Sequence, residues 1–288
     1  MSYQVCLFLN LYVYLVLFFR LGKIESVMVL KLIKEVYMSQ VDCLVIQGRK
    51  VDRDRAARIA GDFNVDVVND IPQDKWAKYF LMDKNGLAYV SGKQELKVDW
   101  SNLLSRVTGG HLQHEILLKA AKPETDNGKM PRAVDATAGL GEDSFILAAM
   151  GYEVEMFEHN PITAALLYDG LLRARNDSKL QDVARHMTFT KGESVDLLKG
   201  LCYEPDVIYL DPMYPEKKKK AESKKKMQVL HQIEPPCQDE IDLMDAARGA
   251  NPTKIVIKRP PEANFLAGVT PTYSVERKAV RYDCLVLN

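Results

Sequence analysis

The chain has 288 residues, 47% of them apolar and 27% charged, enough to bury a full α/β core and carry a smaller unit beside it. Thirty-nine basic residues balance thirty-nine acidic ones, which excludes binding to nucleic acid through bulk charge and leaves only a local patch for that purpose. Five cysteines (Cys6, Cys43, Cys202, Cys237, Cys284) stand singly, without a C-x-x-C pair; their scatter and odd number argue against a disulfide framework and fit a reduced, cytoplasmic protein.

Residues 1–37 form an apolar N-terminal extension. Its run "VCLFLNLYVYLVLFF" is broken only by Asn10. Fifteen residues fall short of the ~20 needed to cross a bilayer, and neither a basic leader nor a small-residue cleavage site accompanies them. Met28 and Met38 both offer later starts, so the expectation is an upstream reading of the gene, with no stable membrane association. An anchoring helix is the competing reading.

Residues 38–108 read as a small α+β accessory domain. "VDCLVIQG" predicts a strand, "DRDRAARIAGDF" a helix with one apolar face, and "VDVVND" a second strand, together one βαβ-like unit. "KYFLMDKNGLAYVSG" alternates about Asn85-Gly86, a dipeptide whose tolerance of positive φ at both positions predicts a hairpin turn. No catalytic constellation lies in this stretch, and its expected contribution is recognition.

Residues 109–288 carry the chemistry. "GHLQHEILLKAA" predicts a helix with His111 and His114 on one face, but no further ligand follows at a metal-site spacing, and no metal is assigned. "AVDATAGLGEDSFILAAMGYEVEMFEHNP" then reads as strand, glycine turn, helix and strand, the first βαβ of a doubly wound fold. Gly139 and Gly141 allow a tight turn and close approach of a ligand, with Asp135 just before them. Glu158, at the end of the second strand, stands where an acid binds ribose hydroxyls. Glu142 and Asp143 put negative charge where a pyrophosphate would lie at the helix start, which disfavours phosphate. S-adenosylmethionine, with its sulfonium, ammonium and free ribose, suits this turn better.

Helix and strand patterns continue to alternate through "PITAALLYDGLLRAR", "HMTFTKGES", "SVDLLKG", "DVIYLDP", "QDEIDLMDAARGA" and "KIVIKRP", with Pro161 at a first helical turn. Two final strands, "TYSVERK" and "VRYDCLVLN", suit a seven-stranded sheet whose last strand is antiparallel. "DPMYP" follows the fourth strand of this sheet, on the edge where open α/β sheets bind ligands. Asp211 and the carbonyl of Pro212 can accept the N–H bonds of an exocyclic amine, while Tyr214 stacks on an extruded base. Beyond it come Lys217, Lys218, Lys219, Lys220, Lys224, Lys225 and Lys226. Set against Asp211, Glu216 and Glu222, they make a basic tether for RNA phosphates; a solvated lysine face is the plain alternative.

"VDATAGLGEDSFILAAMG", "EHNPITAALLYDGL", "VIYLDPMYP", "KKKMQV" and "IVIKRP" together resemble the ribosomal RNA small subunit methyltransferase J family. The likeness runs from about Met38 to the C-terminus. It implies a Rossmann-like methyltransferase fold, S-adenosylmethionine as cofactor, and methylation of the N2 amine of guanine 1516 in 16S ribosomal RNA, free or in the small ribosomal subunit. It also implies cofactor contacts at Glu142 and Asp143, Glu158 and His159, Glu193 and Ser194, and Asp211. Glu142 and His159 stand where the family often has arginine, and Glu193 where it often has serine, which implies backbone contacts there. A methyltransferase for another RNA or for a protein amide, and a non-catalytic RNA-binding protein of the same fold, are the rival readings.

Overall fold

The computed structural model describes residues 41–122, 128–214, 229–230, 232–233, 237 and 239–287. The apolar head and the whole lysine run, Lys217 to Lys226, lie outside the described residues. Within them the chain builds two sheets.

The smaller sheet begins with β1 (Cys43–Ile46), α1 (Arg53–Phe63) and β2 (Asp66–Val68), followed by β3 (Lys78–Asp83), β4 (Gly86–Ser91) and β5 (Gln94–Leu96). Its strand order is β2-β1-β3-β4-β5, with β1 parallel to both neighbours. A central parallel strand needs two apolar faces, and all four residues of β1 are buried. α1 buries Ala56, Ala60 and Phe63, an i, i+4, i+7 stripe. Asp52 caps its start by accepting from Arg55 N at 2.9 Å, and Asn64 ends it at φ 51°.

The β3–β4 hairpin forms as expected, but its turn differs in detail: Asp83 pairs with Gly86 across the sheet, and of the two residues of the dipeptide only Gly86 has positive φ, at 112°. Asp83 accepts from Asn85 N at 2.8 Å, which fixes the turn locally. A second departure lies at residues 110–121. The expected helix is two pieces, a 3-10 turn over His111–His114 and a helix over Ile116–Ala121, because Glu115 between them is extended at ψ 126°.

The connecting segment carries α2 (Leu104–Val107) and α3 (Ile116–Ala121). After it come β6 (Arg132–Asp135), α4 (Glu142–Ala149), β7 (Glu153–Glu158), α5 (Pro161–Arg175), α6 (Gln181–Ala184), β8 (Met187–Lys191), α7 (Ser194–Lys199), β9 (Val207–Leu210), α8 (Glu240–Gly249), β10 (Lys254–Arg259), β11 (Tyr273–Arg277) and β12 (Val280–Val286). The seven-stranded order is β11-β12-β10-β9-β6-β7-β8, and β12 pairs antiparallel with both of its neighbours. This is the expected doubly wound sheet with its last strand reversed.

Strand alternation splits the core between the two faces. Ala133, Met156, Val207, Tyr209 and Val256 belong to the apolar cluster that also holds α4, α5 and the core of the smaller sheet. Val134, Phe157, Ile208, Ile255 and Ile257 share the opposite cluster with Leu198 of α7 and Leu243 and Met244 of α8. The chain moves outward in one direction from β6 through β7 and β8, then returns to β9 on the other side of β6. The β6/β9 boundary is therefore the topological switch point, where the carboxyl ends of the strands leave a crevice.

The smaller sheet docks on α5. Asp169 is 1% exposed and accepts from Leu87 N at 3.0 Å, while Arg55 and Arg173 pair with it at 2.6 and 2.7 Å. A Cβ on Gly86 would lie 2.7 Å from Asp169 Oδ2, so this contact requires glycine there. Trp100 stacks on Phe145 with ring centroids 5.4 Å apart, and its indole N–H donates to Leu140 O at 2.9 Å.

Candidate active site

The glycine turn between β6 and α4 shapes one wall of the crevice. Gly139 and Gly141 have φ of 54° and 72°, a region that side chains disfavour. A Cβ on Gly141 would also come within 2.8 Å of Leu167 and of Trp100, so the turn is pressed onto the packed helices beneath it. Gly141 stands at the N-cap of α4 and no side chain caps that helix. The turn is tied to the neighbouring strand by Ala138 N, which donates to Phe157 O at 3.0 Å.

Glu158 is 3% exposed and finishes this tie. Its Oε2 accepts from Gly139 N at 2.9 Å and its Oε1 from Asn160 N at 2.7 Å. The carboxylate thus holds the glycine turn against the end of β7. His159 is half-buried with Nδ1 3.6 Å from Glu158 Oε1. Ser194, at the start of α7, donates its hydroxyl to Ala136 O, and Glu193 is the N-cap residue of the same helix. Glu142 is exposed.

Asp135 lies under the turn, 1% exposed, accepting from Thr137 N at 3.1 Å and from the Ser144 hydroxyl. Burial pushes its carboxyl up to about 7; those two hydrogen bonds oppose the rise, and the negative charges of Asp143 and Asp211 add to it.

Across the crevice, β9 ends at Leu210 and the D-P-M-Y box begins. Asp211 N donates to Thr137 Oγ1 at 2.5 Å, so the threonine of the first loop registers the box against the glycine turn. Asp211 Oδ2 accepts from Lys258 Nζ at 2.9 Å, and the same ammonium donates to Asp143 Oδ2 at 2.7 Å. Asp143 Oδ2 also accepts from the Tyr209 hydroxyl at 2.7 Å. Burial alone would raise Asp143, but the Lys258 ammonium overcomes it and holds that carboxyl below its ordinary value. For Asp211, burial wins: its carboxyl is raised despite Lys258, with Asp143 repelling its charge. Pro212 is buried. Tyr214 rests against the guanidinium of Arg259, 4.7 Å from the ring centre. Arg259 is itself 2% exposed, held by Glu240 and by the carbonyl of Asn264, each at 3.2 Å.

The fold therefore brings Asp135, Gly139, Gly141, Asp143, Glu158, Ser194, Asp211 and Tyr214 to one edge of one sheet. Sequence reading missed Thr137, Lys258 and Arg259. The last two carried a signal: a charged pair closing the otherwise apolar "KIVI" strand sits where the sheet presents its ligand edge. Among the described residues no three His, Cys, Asp or Glu side chains cluster as metal ligands, and no helix is long and apolar enough to cross a membrane.

The charge balance fits a cationic nucleoside cofactor. Asp143 and Asp211 share a single ammonium, and the turn in front of them has an acidic helix start, with Glu142 and Asp143 in its first turn. A diphosphate would meet net negative charge there.

Residues 73–287 match the family model described as "Putative SAM-dependent methyltransferase". The ribosomal RNA small subunit methyltransferase J of Neisseria meningitidis serogroup C is 37% identical over 207 residues, covering 70% of this chain and 80% of that protein. The chain belongs to this methyltransferase family. The methyltransferase J of Aeromonas hydrophila is 45% identical over 161 residues, 56% of this chain. The match spans 65% of the length of that relative. A crystal structure of a SAM-dependent methyltransferase from Neisseria gonorrhoeae aligns with a TM-score of 0.66 at 29% identity, over 84% of this chain and 95% of its own. The methyltransferase fold and S-adenosylmethionine dependence expected from sequence are thereby shown. The family model also takes in β3 to β5, so the matched unit begins inside the smaller sheet.

Proposed function

We propose that the chain transfers a methyl group from S-adenosylmethionine to the exocyclic N2 amine of a guanine in 16S ribosomal RNA, the position corresponding to guanine 1516. The observation that carries this reading is the D-P-M-Y box at the switch point. One carboxylate oxygen of Asp211 is held by Lys258, its backbone is registered by Thr137, and Tyr214 is backed by a buried cation.

When bound, S-adenosylmethionine supplies a methyl carbon activated by the sulfonium. The chain supplies position. A guanine amine is a weak nucleophile because its lone pair is delocalised into the ring. Asp211 and the Pro212 carbonyl accept its N–H bonds and turn the nitrogen toward the methyl donor. Tyr214 offers a ring face to the extruded base, and its other face lies on Arg259. Asp211 is placed to take the proton that the amine gives up on methylation, with water as the other acceptor. Glu158 and the backbone of the glycine turn hold the nucleoside end. Asp135, Glu142, Asp143, His159, Glu193 and Ser194 complete the proposed cofactor set, with Glu142, His159 and Glu193 acting through backbone atoms.

Lys217 to Lys220 and Lys224 to Lys226 are proposed to hold RNA phosphates at the pocket mouth, and residues 38–108 to act as an accessory recognition unit in a cytoplasmic enzyme. The test is transfer of labelled methyl to unmethylated 16S ribosomal RNA, supplied both free and within assembled small subunits. N2-methylguanine at one site is the expected product. Label in protein glutamine, or in another RNA alone, overturns the substrate assignment. Changing Lys217–Lys220 to Glu should lower the slope of log affinity against log salt by ~0.7 to 0.9 for each phosphate that is no longer neutralised, and unchanged lines would remove the lysines from the interface.

A further inference from the structure

Lys258 is the one basic side chain that touches both Asp143 and Asp211 among the described residues, and family resemblance assigns it no role. Its ammonium reaches Asp143 at 2.7 Å and Asp211 at 2.9 Å. It projects from β10, the strand beside β9, whereas Asp143 comes from α4. The groups around this triad come from several elements: Asp135 from β6, Tyr209 from β9, Arg259 from β10 and Tyr282 from β12. Arg106 of α2 acts on Asp143 and Tyr282 from the far side.

Resting on the proposed function, we infer that Lys258 is a positioning residue for methyl transfer: it holds one oxygen of Asp211 in a fixed direction and keeps that carboxylate ionised, so that the other oxygen can accept from the target amine. Geometry and charge both require such a partner. Without it, the Asp143 and Asp211 carboxylates would face one another uncompensated, and one of the two would take up a proton. A protonated Asp211 could present a hydroxyl to the amine where an acceptor is needed. The half-buried ammonium is itself compensated, since desolvation alone would lower its proton affinity and the two carboxylates raise it well above the ordinary value. Because Lys258 is already spent on Asp143 and Asp211, the site keeps its preference for a cationic cofactor while its aspartate stays ready to accept.

The first arm of the test needs no turnover. The Asp211 carboxyl carbon, identified by its loss in Asp211→Asn, is titrated by NMR in wild type, Lys258→Met and Lys258→Arg. The midpoint should move to higher pH in Lys258→Met and stay close to wild type in Lys258→Arg. Superimposable wild-type and Lys258→Met curves overturn the inference. Lys258→Gln serves the same comparison should the Met variant fail to fold. In the second arm, kcat for Lys258→Met should fall about ten- to a hundredfold near neutral pH, the size of a lost charge-assisted hydrogen bond. The deficit should shrink as pH rises, with KM for RNA little changed and Lys258→Arg largely restored. A deficit equal at every pH means a purely structural lysine and also overturns the inference. If the wild type transfers no methyl to RNA, the functional reading fails, while the titration still decides the role of Lys258.

Discussion

Two of the strand-to-helix turns among the described residues are closed in different ways, and only the second borders the proposed site. In the smaller sheet, β1 runs into α1 through a turn closed by Asp52, whose side chain caps its own helix three residues on. In the larger sheet, β6 runs into α4 through Gly139 and Gly141, and no side chain closes the helix. The cap of the first turn is local, three residues long, and the Arg55 side chain just beyond it docks the smaller sheet on Asp169 at 2.6 Å. The polar bonds around the second turn reach across the fold, from Gly139 to Glu158, Thr137 to Asp211 and Asp143 to Lys258, over separations of 19, 74 and 115 residues. Local bonds finish a turn, whereas long-range bonds assemble a pocket whose shape no single segment determines.

Breaking the longest-range cluster should have the largest effect. Asp211→Ala is expected to lower turnover by about 10²–10⁴-fold, the range for a positioned acid–base group, while circular dichroism stays unchanged. Tyr214→Phe should be mild, because stacking uses the ring. Cofactor affinity must be measured beside turnover, since the same aspartate lies in the proposed cofactor set. A folded Asp211→Ala with normal turnover would remove the box from catalysis.

The next effect is on stability, and its sign follows from burial. Asp135 titrates at about 7 in the folded protein and near 3.9 when unfolded. The folded state binds the extra proton between those values, so this residue's stabilising contribution is complete below about pH 4 and is lost as pH rises through 7. The full span is at most about 4 kcal/mol. Asp135→Asn should therefore match wild type in denaturant midpoint at pH 4 and exceed it at pH 8. Parallel pH profiles for the two proteins would show that the buried carboxyl does not titrate there.

What was legible in the sequence follows the same division between local and distant bonds. Pro161 at the first turn of α5, the glycine turn, each strand of the larger sheet and the β3–β4 hairpin were readable because neighbouring residues dictate them. The D-P-M-Y box and Glu158 were readable because they end strands whose place in the sheet follows from chain order. Lys258 was not, because its partners are supplied by α4 and β9 only after the sheet assembles. The helix expected over residues 110–121 failed because Glu115 is extended, and no apolar periodicity marks that break. Asp169 lies within the α5 segment, where nothing in the local pattern marks it, yet it anchors Arg55, Arg173 and the Leu87 backbone. That role appears only when the smaller sheet docks.

Glu158 sharpens the comparison further because it does two jobs. Its carboxylate holds Gly139 N and Asn160 N, and as the proposed ribose ligand it would accept further hydrogen bonds. Glu158→Ala should weaken S-adenosylmethionine binding by about ten- to a hundredfold in calorimetry, as expected for charge-assisted hydrogen bonds of ~1.5–3 kcal/mol. Glu158→Gln keeps one acceptor for the turn, and its loss should be smaller. Equal losses in the two variants would mean that the ionised carboxylate itself, and not merely the shape of the turn, binds the cofactor. Unchanged affinity in both would remove Glu158 from the site.

The smallest effect belongs to the closed turn, and it tests the comparison from the other side. Asp52 accepts from Arg55 N at 2.9 Å, satisfying one of the N–H groups that every helix start leaves without an intrahelical partner. Asp52→Ala should cost about 1 kcal/mol of stability. The loss should be read as a lower denaturant midpoint with an unchanged slope, since the surface exposed on unfolding is the same. The cap's bond spans three residues, and the Arg55–Asp169 pair that ties this helix to α5 at 2.6 Å is left in place by Asp52→Ala, so affinity for S-adenosylmethionine should equal that of wild type. The opposite experiment is to give the open turn a side chain. Gly141→Ala would force a Cβ to within 2.8 Å of Leu167 and Trp100 at φ 72°, so the helix start would have to move relative to Glu158 and Asp211. Cofactor affinity should fall together with stability. If Asp52→Ala weakened cofactor binding as Gly141→Ala does, the two turns would be coupled through the sheets, and the division into a closed turn and an open one would fail.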